Sequence, residues 1–263
     1  MQPTSTPSVD ARYWAGMLSA SLLGTTLGDF VSVSMGLGYV RGLPLMLGLL
    51  GAVLLAERGL RIKTQSYYWA AVVITRTGAT NLADLGTHER KLGYAEVAGC
   101  LALLLAATLV ARMRLGARLR MRTADAAVKA KELPATDLTY WMSMLVASML
   151  GTTLGDGMSD GLHWSFGQAS LALGGLLAVA LYVRQKAHIR HEAYYWSLIV
   201  LVRTTGTTAG DFLSGDGGLN MGFGLAAGCT ALLLVVVLVA SHRPPVAVGS
   251  VAGVAPASGS RTG

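Results

Sequence analysis

The pair Tyr-Trp stands at four places, Tyr13-Trp14, Tyr68-Trp69, Tyr140-Trp141 and Tyr195-Trp196. Fifteen residues after each Trp comes an Asp: Asp29, Asp84, Asp156 and Asp211. The first and third units are offset by 127 residues, as are the second and fourth, and the units within each half are 55 apart. No gap is needed between Trp and Asp, and the first and third units share Gly-Thr-Thr-Leu-Gly-Asp (24–29 and 151–156). Self-similarity at a fixed period limits the fold to one supersecondary unit used four times, a duplicated pair of hairpins.

Composition says what the unit is. Apolar residues make up 52% of the 263-residue chain and charged residues 13%, with a mean hydropathy of +0.51. Soluble domains carry about 25% charged residues. A spanning helix needs about 20 mostly apolar residues. Eight such runs lie near 13–33, 43–59, 67–86, 94–112, 139–159, 166–183, 194–214 and 219–240. Each unit is therefore a two-helix hairpin that enters and leaves on one side. Such repeats are parallel, and their symmetry axis runs along the membrane normal. The expected fold is an all-α integral membrane protein, with eight transmembrane helices in four parallel two-helix repeats, pseudo-fourfold or twofold about that normal. The chain divides into an N-terminal segment (1–12), a first half (13–112), a basic linker (113–138), a second half (139–240) and a tail (241–263). The tail is rich in Pro, Gly, Ala and Ser and is expected to be disordered. The first apolar run lacks a basic leader and carries the repeat motif, so it reads as structure, not as a signal peptide.

Orientation follows from the basic residues. Sixteen of the 21 Lys and Arg lie in the N-terminal segment, the loops after the second, fourth and sixth runs, and the tail; three lie in the opposite loops (Arg41, Arg90, Lys91). Both termini are expected in the cytoplasm of a multi-pass cell inner (plasma) membrane protein. The net charge of +7 is then an orientation signal and not a nucleic-acid signal. Each Tyr-Trp pair reads as an interfacial anchor at the cytoplasmic face. Cys100 and Cys229 follow Gly in apolar runs and read as packing residues.

The pattern resembles a family of bacterial membrane proteins described as four tandem repeats of unknown function, each with two transmembrane segments and a tryptophan. Members are often labelled membrane-anchored protein. The resemblance spans about 13–240 and is carried by the four Trp and the Thr-x-Gly-Asp segments; the second unit departs, with Asn81-Leu82-Ala83-Asp84. It implies fold and location but no activity.

Around each Asp the same polar residues recur at helical spacing. Thr25, Thr80, Thr152 and Thr207 lie four residues before; Thr26, Asn81, Thr153 and Thr208 lie three before; Ser32, Thr87, Ser159 and Ser214 lie three after. Positions three and four apart share a helix face. Eight residues before the Asp stand Ser21 and Ser148 in the odd units, but Arg76 and Arg203 in the even ones. An Asp inside a span costs about 2.5–3.5 kcal/mol on insertion scales and faces a bundle interior or a wet cavity. Four carboxylates with many hydroxyls are the hard oxygen donors of a cation site. With two Arg as counter-ions the formal charge is −2, which suits a divalent ion. Asp29 and Asp156, with no Arg on their own helices, are the expected metal ligands; Arg76 and Arg203 are expected to balance Asp84 and Asp211.

The function expected is secondary transport of a small cation, with a metal ion favoured and proton-coupled export as one mode. One alternative is a carrier of a small organic or anionic solute held by Arg76 and Arg203. Another is a membrane scaffold in which the stripes only lock helices together. The outer-loop residues His88, Glu89, Asp160, His163 and Asp216 read as a solvated rim, with cation recruitment as the less favoured role. No Walker motif, His-Glu-x-x-His or CxxC occurs, so no enzyme and no resident cofactor is expected. The expected partners are the bilayer and a small cation, with a homo-oligomer allowed and no nucleic acid.

Overall fold

The computed structural model describes residues 7–60, 65–122, 136–189 and 191–241. Among them are eight helices and no strand: α1 (Ala11–Asp29), α2 (Gly38–Leu60), α3 (Gln65–Asp84), α4 (Tyr94–Arg122), α5 (Leu138–Asp156), α6 (Phe166–Lys186), α7 (Glu192–Ser214) and α8 (Phe223–Ser241). The basic linker expected from 113 begins later, because α4 continues ten residues further, to Arg122. Residues 1–6, residues 123–135 of the linker, and the tail beyond Ser241, where disorder was expected, lie outside the described residues.

Two helix starts are fixed by the same device 127 residues apart. Asp10 accepts a hydrogen bond from the Tyr13 backbone N–H at 3.0 Å, and Asp137 accepts one from that of Tyr140 at 2.8 Å. These caps satisfy orphan donors of the first turn and set where each Tyr-Trp pair begins. Partial burial pushes the Asp137 carboxyl up, but hydrogen bonds from Thr139, the Tyr140 N–H and Arg112 outweigh it and hold the group below the usual carboxylate range.

The odd-numbered helices form an inner ring, α1 on α3, α3 on α5, α5 on α7 and α7 on α1. The even-numbered helices lie outside. α2 packs on α3, α4 on α5, α6 on α7 and α8 on α1, so each covers mainly the first helix of the next unit. No hairpin buries its faces alone, which is why the unit recurs. The inner seams are close because they are lined by small residues. Gly24 and Gly28 of α1 meet Arg76 and Thr80; Gly151 and Gly155 of α5 meet Arg203 and Thr207; Gly206 and Gly210 of α7 meet Ser21 and Thr25. At the corresponding places α3 has Ala79 and Ala83, both buried.

A Cβ added at Gly151 would lie 2.9 Å from the Thr204 backbone N and overlap the Arg203 Cβ, whereas at Gly174 it would meet nothing within 4 Å. Gly151→Ala is therefore expected to lower stability by about 1–3 kcal/mol through overpacking. Gly174→Ala is expected to be neutral or to gain up to about 1 kcal/mol of helix propensity. Thermal unfolding of both variants in detergent checks this; equal melting temperatures would overturn the close-seam account.

Among the described residues four helices are long and apolar enough to cross a membrane: Ala11–Ser34, Tyr94–Arg114, Phe166–Lys186 and Phe223–Ser241. Large apolar side chains of the outer helices, such as Leu47, Leu103, Leu171 and Val239, point outward and are exposed. Cys100 and Cys229 are exposed on α4 and α8, so they do not pack in the interior. Each sits on an outer helix whose inner face alone meets the ring.

The aromatic pairs also depart from the expectation. All four Tyr are buried, as are Trp14, Trp69 and Trp196. The four phenols close a ring of hydrogen bonds: Tyr13 to Tyr68 at 3.0 Å, Tyr68 to Tyr140 at 2.8 Å, Tyr140 to Tyr195 at 3.0 Å and Tyr195 to Tyr13 at 2.6 Å. Each hydroxyl has one proton to give and room to accept, so four hydroxyls satisfy four bonds only by closing on themselves. Each Trp packs on the Tyr of the preceding inner helix, with centroids 5.5–5.9 Å apart. The pairs form an interior plug instead of an interfacial belt, because each Tyr on a close-packed ring turns its hydroxyl to the axis, where another copy pairs it.

Candidate functional site

The end of the inner ring opposite the tyrosine plug holds a cavity of about 220 Å³, lined by all four Asp: Asp29, Asp84, Asp156 and Asp211. Because Tyr heads and Asp ends each helix at one common end, the four inner helices run parallel. Thr25, Thr80, Thr152 and Thr207, one turn deeper, line the same cavity. They sit four residues before Asp, a step of about 40° around a helix, so they face the axis with it. Thr26, Asn81, Thr153 and Thr208 are not among the lining residues. At three residues' distance they lie about 60° to the other side. Thr26 bonds Thr230 of α8 at 3.1 Å, and Asn81 stands against Gly42 of α2. This second set thus serves packing with outer helices where its contacts are seen.

Arg76 lies beneath the Thr layer of the cavity, bonded to three of its hydroxyls. Its side chain is fully buried. It donates to the Ser148 carbonyl (2.9 Å) and Thr152 Oγ1 (2.5 Å) of α5, to Thr25 Oγ1 (2.8 Å) of α1, and to the Arg203 carbonyl (3.3 Å) and Thr207 Oγ1 (2.6 Å) of α7. One guanidinium thus ties the three other inner helices together. Arg203, equally buried, instead reaches toward Met17 Sδ and Met144 Sδ at 3.4 Å, below Arg76. Its Nε and Nη1 have no hydrogen-bond partner among the described residues. The expected Arg–Asp pairs are absent among the described residues: no carboxylate lies within 4 Å of either Arg. Both residues start two turns from the Asp level, and Thr hydroxyls intervene. Nor do the two Arg occupy equivalent places, since two cations cannot share one point on an axis.

Immediately after Asp29, Asp84 and Asp156 the backbone widens into π turns, Phe30–Ser34, Leu85–Glu89 and Gly157–Gly161, while α7 stays α-helical to Ser214. Single π turns are frequent at functional sites. The residue four beyond each Asp then also lines the cavity: Val33, His88, Asp160 and Gly215. His88 and Asp160, read from sequence as a solvated rim, are thus mouth residues. His88 Nδ1 lies 3.8 Å from Asp84 Oδ1, and Nε2 lies 3.6 Å from Asp160 Oδ2. Asp84, His88 and Asp156 each offer a ligand atom, all within 4.8 Å of one another. Of the two expected metal ligands, Asp156 belongs to this group and Asp29 does not. The signal that would have found His88 is its place four residues after Asp84, aligned with Asp160.

Three segments, 12–61, 139–188 and 194–245, match the family described as a Repeat of Unknown Function (DUF347), together more than half of the chain. The chain belongs to this family. The second unit, whose Asn81-Leu82-Ala83-Asp84 departs from the shared motif, falls between the family's matches. No curated protein and no solved structure matches the chain.

Proposed function

We propose that the chain is a secondary transporter of a small cation, a metal ion by preference, built as four two-helix repeats and eight spans in the bacterial inner membrane. The observation that carries this reading is the convergence of four inner-helix carboxylates on one cavity of about 220 Å³. Hard oxygens in that number are what a cation needs on leaving water. The apolar outer helices would supply the lipid face, and the basic residues at the tyrosine end support a cytoplasmic side for that end and both termini.

The chemistry follows from the layers. A cation enters from the Asp end and exchanges hydration for carboxylate and Thr oxygens. Arg76 beneath it supplies fixed positive charge and bars passage while its bonds to α1, α5 and α7 hold. Release to the other side needs the inner helices to part at Arg76 and at the tyrosine ring, the rocking of units expected of repeat-built carriers. Proton exchange on the carboxylates keeps the charge of the emptied site low, which couples cation movement to protons. The anionic-solute alternative draws less support, since both Arg76 Nη atoms are already engaged. The scaffold alternative expects a dry axis with every group paired, and it accounts for neither the cavity nor the unpartnered Asp156 Oδ2.

The test is purified protein in liposomes with a pH gradient and a panel of Mn²⁺, Zn²⁺, Co²⁺, Mg²⁺ and Ca²⁺. At least one cation is expected to move tenfold or more faster than in protein-free vesicles. Flux no higher than in protein-free vesicles for every cation would sink the reading.

A further inference from the structure

We propose that the mouth of the cavity is a binding site for a borderline divalent transition-metal ion, with Asp84, His88 and Asp156 as its protein ligands. The proposal deepens the cation reading above, and it names the substrate class. The donors are not spread evenly around the ring. α3 and the π turn after it contribute Asp84 and His88, and the neighbouring α5 and its π turn contribute Asp156 and Asp160, each pair four residues apart. The corresponding positions beside Asp29 and Asp211 hold Val33 and Gly215, which bring no donor. The site is therefore off the axis, on the α3–α5 side.

Three observations carry it. The ligand atoms of Asp84, His88 and Asp156 lie within 4.8 Å of one another. Donors about 2.0–2.2 Å from one zinc-sized ion sit roughly 3–4 Å apart, so closure needs side-chain movements of about 1 Å. Next, Asp156 is only 8% exposed and its Oδ2 has no hydrogen-bond partner among the described residues. A buried carboxylate oxygen without a partner costs more than a satisfied one, unless a ligand supplies the contact. Last, His88 stands between oxygens on both ring nitrogens, with Asp84 and Thr87 near Nδ1 and Asp160 and Tyr94 near Nε2. Whichever nitrogen takes the ion, the other keeps an oxygen partner, as metal-bound imidazoles do. Tyr94 in turn donates to Asp160 Oδ2 at 2.9 Å and fixes that carboxylate.

An imidazole among carboxylates changes which ion is held. Magnesium and calcium prefer oxygen-only sites, whereas zinc, cobalt, nickel and iron gain from a nitrogen donor. Two carboxylates and one neutral imidazole also leave a divalent ion neutralised, with open positions for water or for a Thr oxygen during transfer.

The experiment is metal binding by the full chain in detergent, read by calorimetry with Zn²⁺, Mg²⁺ and Ca²⁺ and by visible absorption with Co²⁺. The parent is expected to bind one Zn²⁺ or Co²⁺ at least 100-fold more tightly than Mg²⁺ or Ca²⁺. His88→Ala is expected to weaken Zn²⁺ and Co²⁺ tenfold or more and to change the Co²⁺ spectrum, while leaving Mg²⁺ and Ca²⁺ as in the parent. Asp156→Asn is expected to weaken all four ions. Thermal unfolding of each variant without metal separates lost binding from lost fold, and His88→Asn serves if His88→Ala melts early. Parent-like Zn²⁺ affinity in both folded His88 variants, or a parent that prefers Ca²⁺, overturns the site. Binding as expected with no flux in liposomes leaves the site standing and removes the transporter reading; flux untouched by His88→Ala does the reverse.

Discussion

Each of the four single variants Asp29→Asn, Asp84→Asn, Asp156→Asn and Asp211→Asn is expected to fold as well as the parent and to lose cation flux at least tenfold. The double variant Asp84→Asn/Asp156→Asn is expected to fall 100-fold or more. The four carboxylates share one cavity, so each neutralisation removes charge from the same bound ion. None of the four is bonded to an Arg among the described residues, so no cation is stranded when its charge goes. Like charges gathered in a low-dielectric site repel one another, and removing one relieves that cost. Stability is therefore expected to stay or to rise while transport collapses, the usual trade at a site built for binding. Melting temperatures in detergent and initial flux in liposomes decide it. A folded Asp156→Asn protein that transports at the parent rate would overturn the shared site. A sharp drop in melting temperature for Asp84→Asn and Asp211→Asn alone would revive Arg–Asp pairing.

The repeat makes the common level of the four Asp readable from the sequence. Four Asp at one distance along four equivalent helices leave few ways to satisfy their charge except where the helices meet. The polar stripe likewise announced that Thr25, Thr80, Thr152 and Thr207 share a face with the Asp residues. What the spacing could not separate was the set one residue nearer, Thr26, Asn81, Thr153 and Thr208. A narrow axis admits about one side chain per turn per helix, and that limit is a property of the packed ring. The Tyr-Trp pairs misled for a related reason. An amphipathic ring suits a membrane interface and a polar axis equally, and only the glycine seams, which draw the inner helices together, decide for the axis. His88 is missed because a span ending near 86 leaves it in an outer loop, although it stands four residues beyond Asp84 on the same helix face. The place of each Arg was the hardest. Equivalence in sequence demands equal roles, and an axis with room for one guanidinium per level denies them.

That broken equivalence has a large expected consequence. Arg76→Met is expected to cost about 3–5 kcal/mol, a fall in melting temperature on the order of 10 °C. The substitution removes the charged donor that spans α1, α5 and α7 through three Thr hydroxyls and two carbonyls. It also removes fixed positive charge beneath four carboxylates. Arg76→Lys restores the charge but not the fork, since an ammonium lacks the planar donor geometry that reaches three helices at once, so it is expected to recover only part of the loss. Arg203→Met, 127 residues on and at the same place in its repeat, is expected to change stability by less than about 1 kcal/mol or to raise it. Two of its nitrogens are buried without partners and the third meets thioether sulfurs, so an apolar chain of similar length loses little there and sheds the desolvation cost of a charge. The measurement is thermal unfolding of the three variants side by side. Equal losses for Arg76→Met and Arg203→Met would show the two guanidiniums to be interchangeable, and the layered axis, with Arg76 under the Thr layer and Arg203 beneath it, would then be wrong.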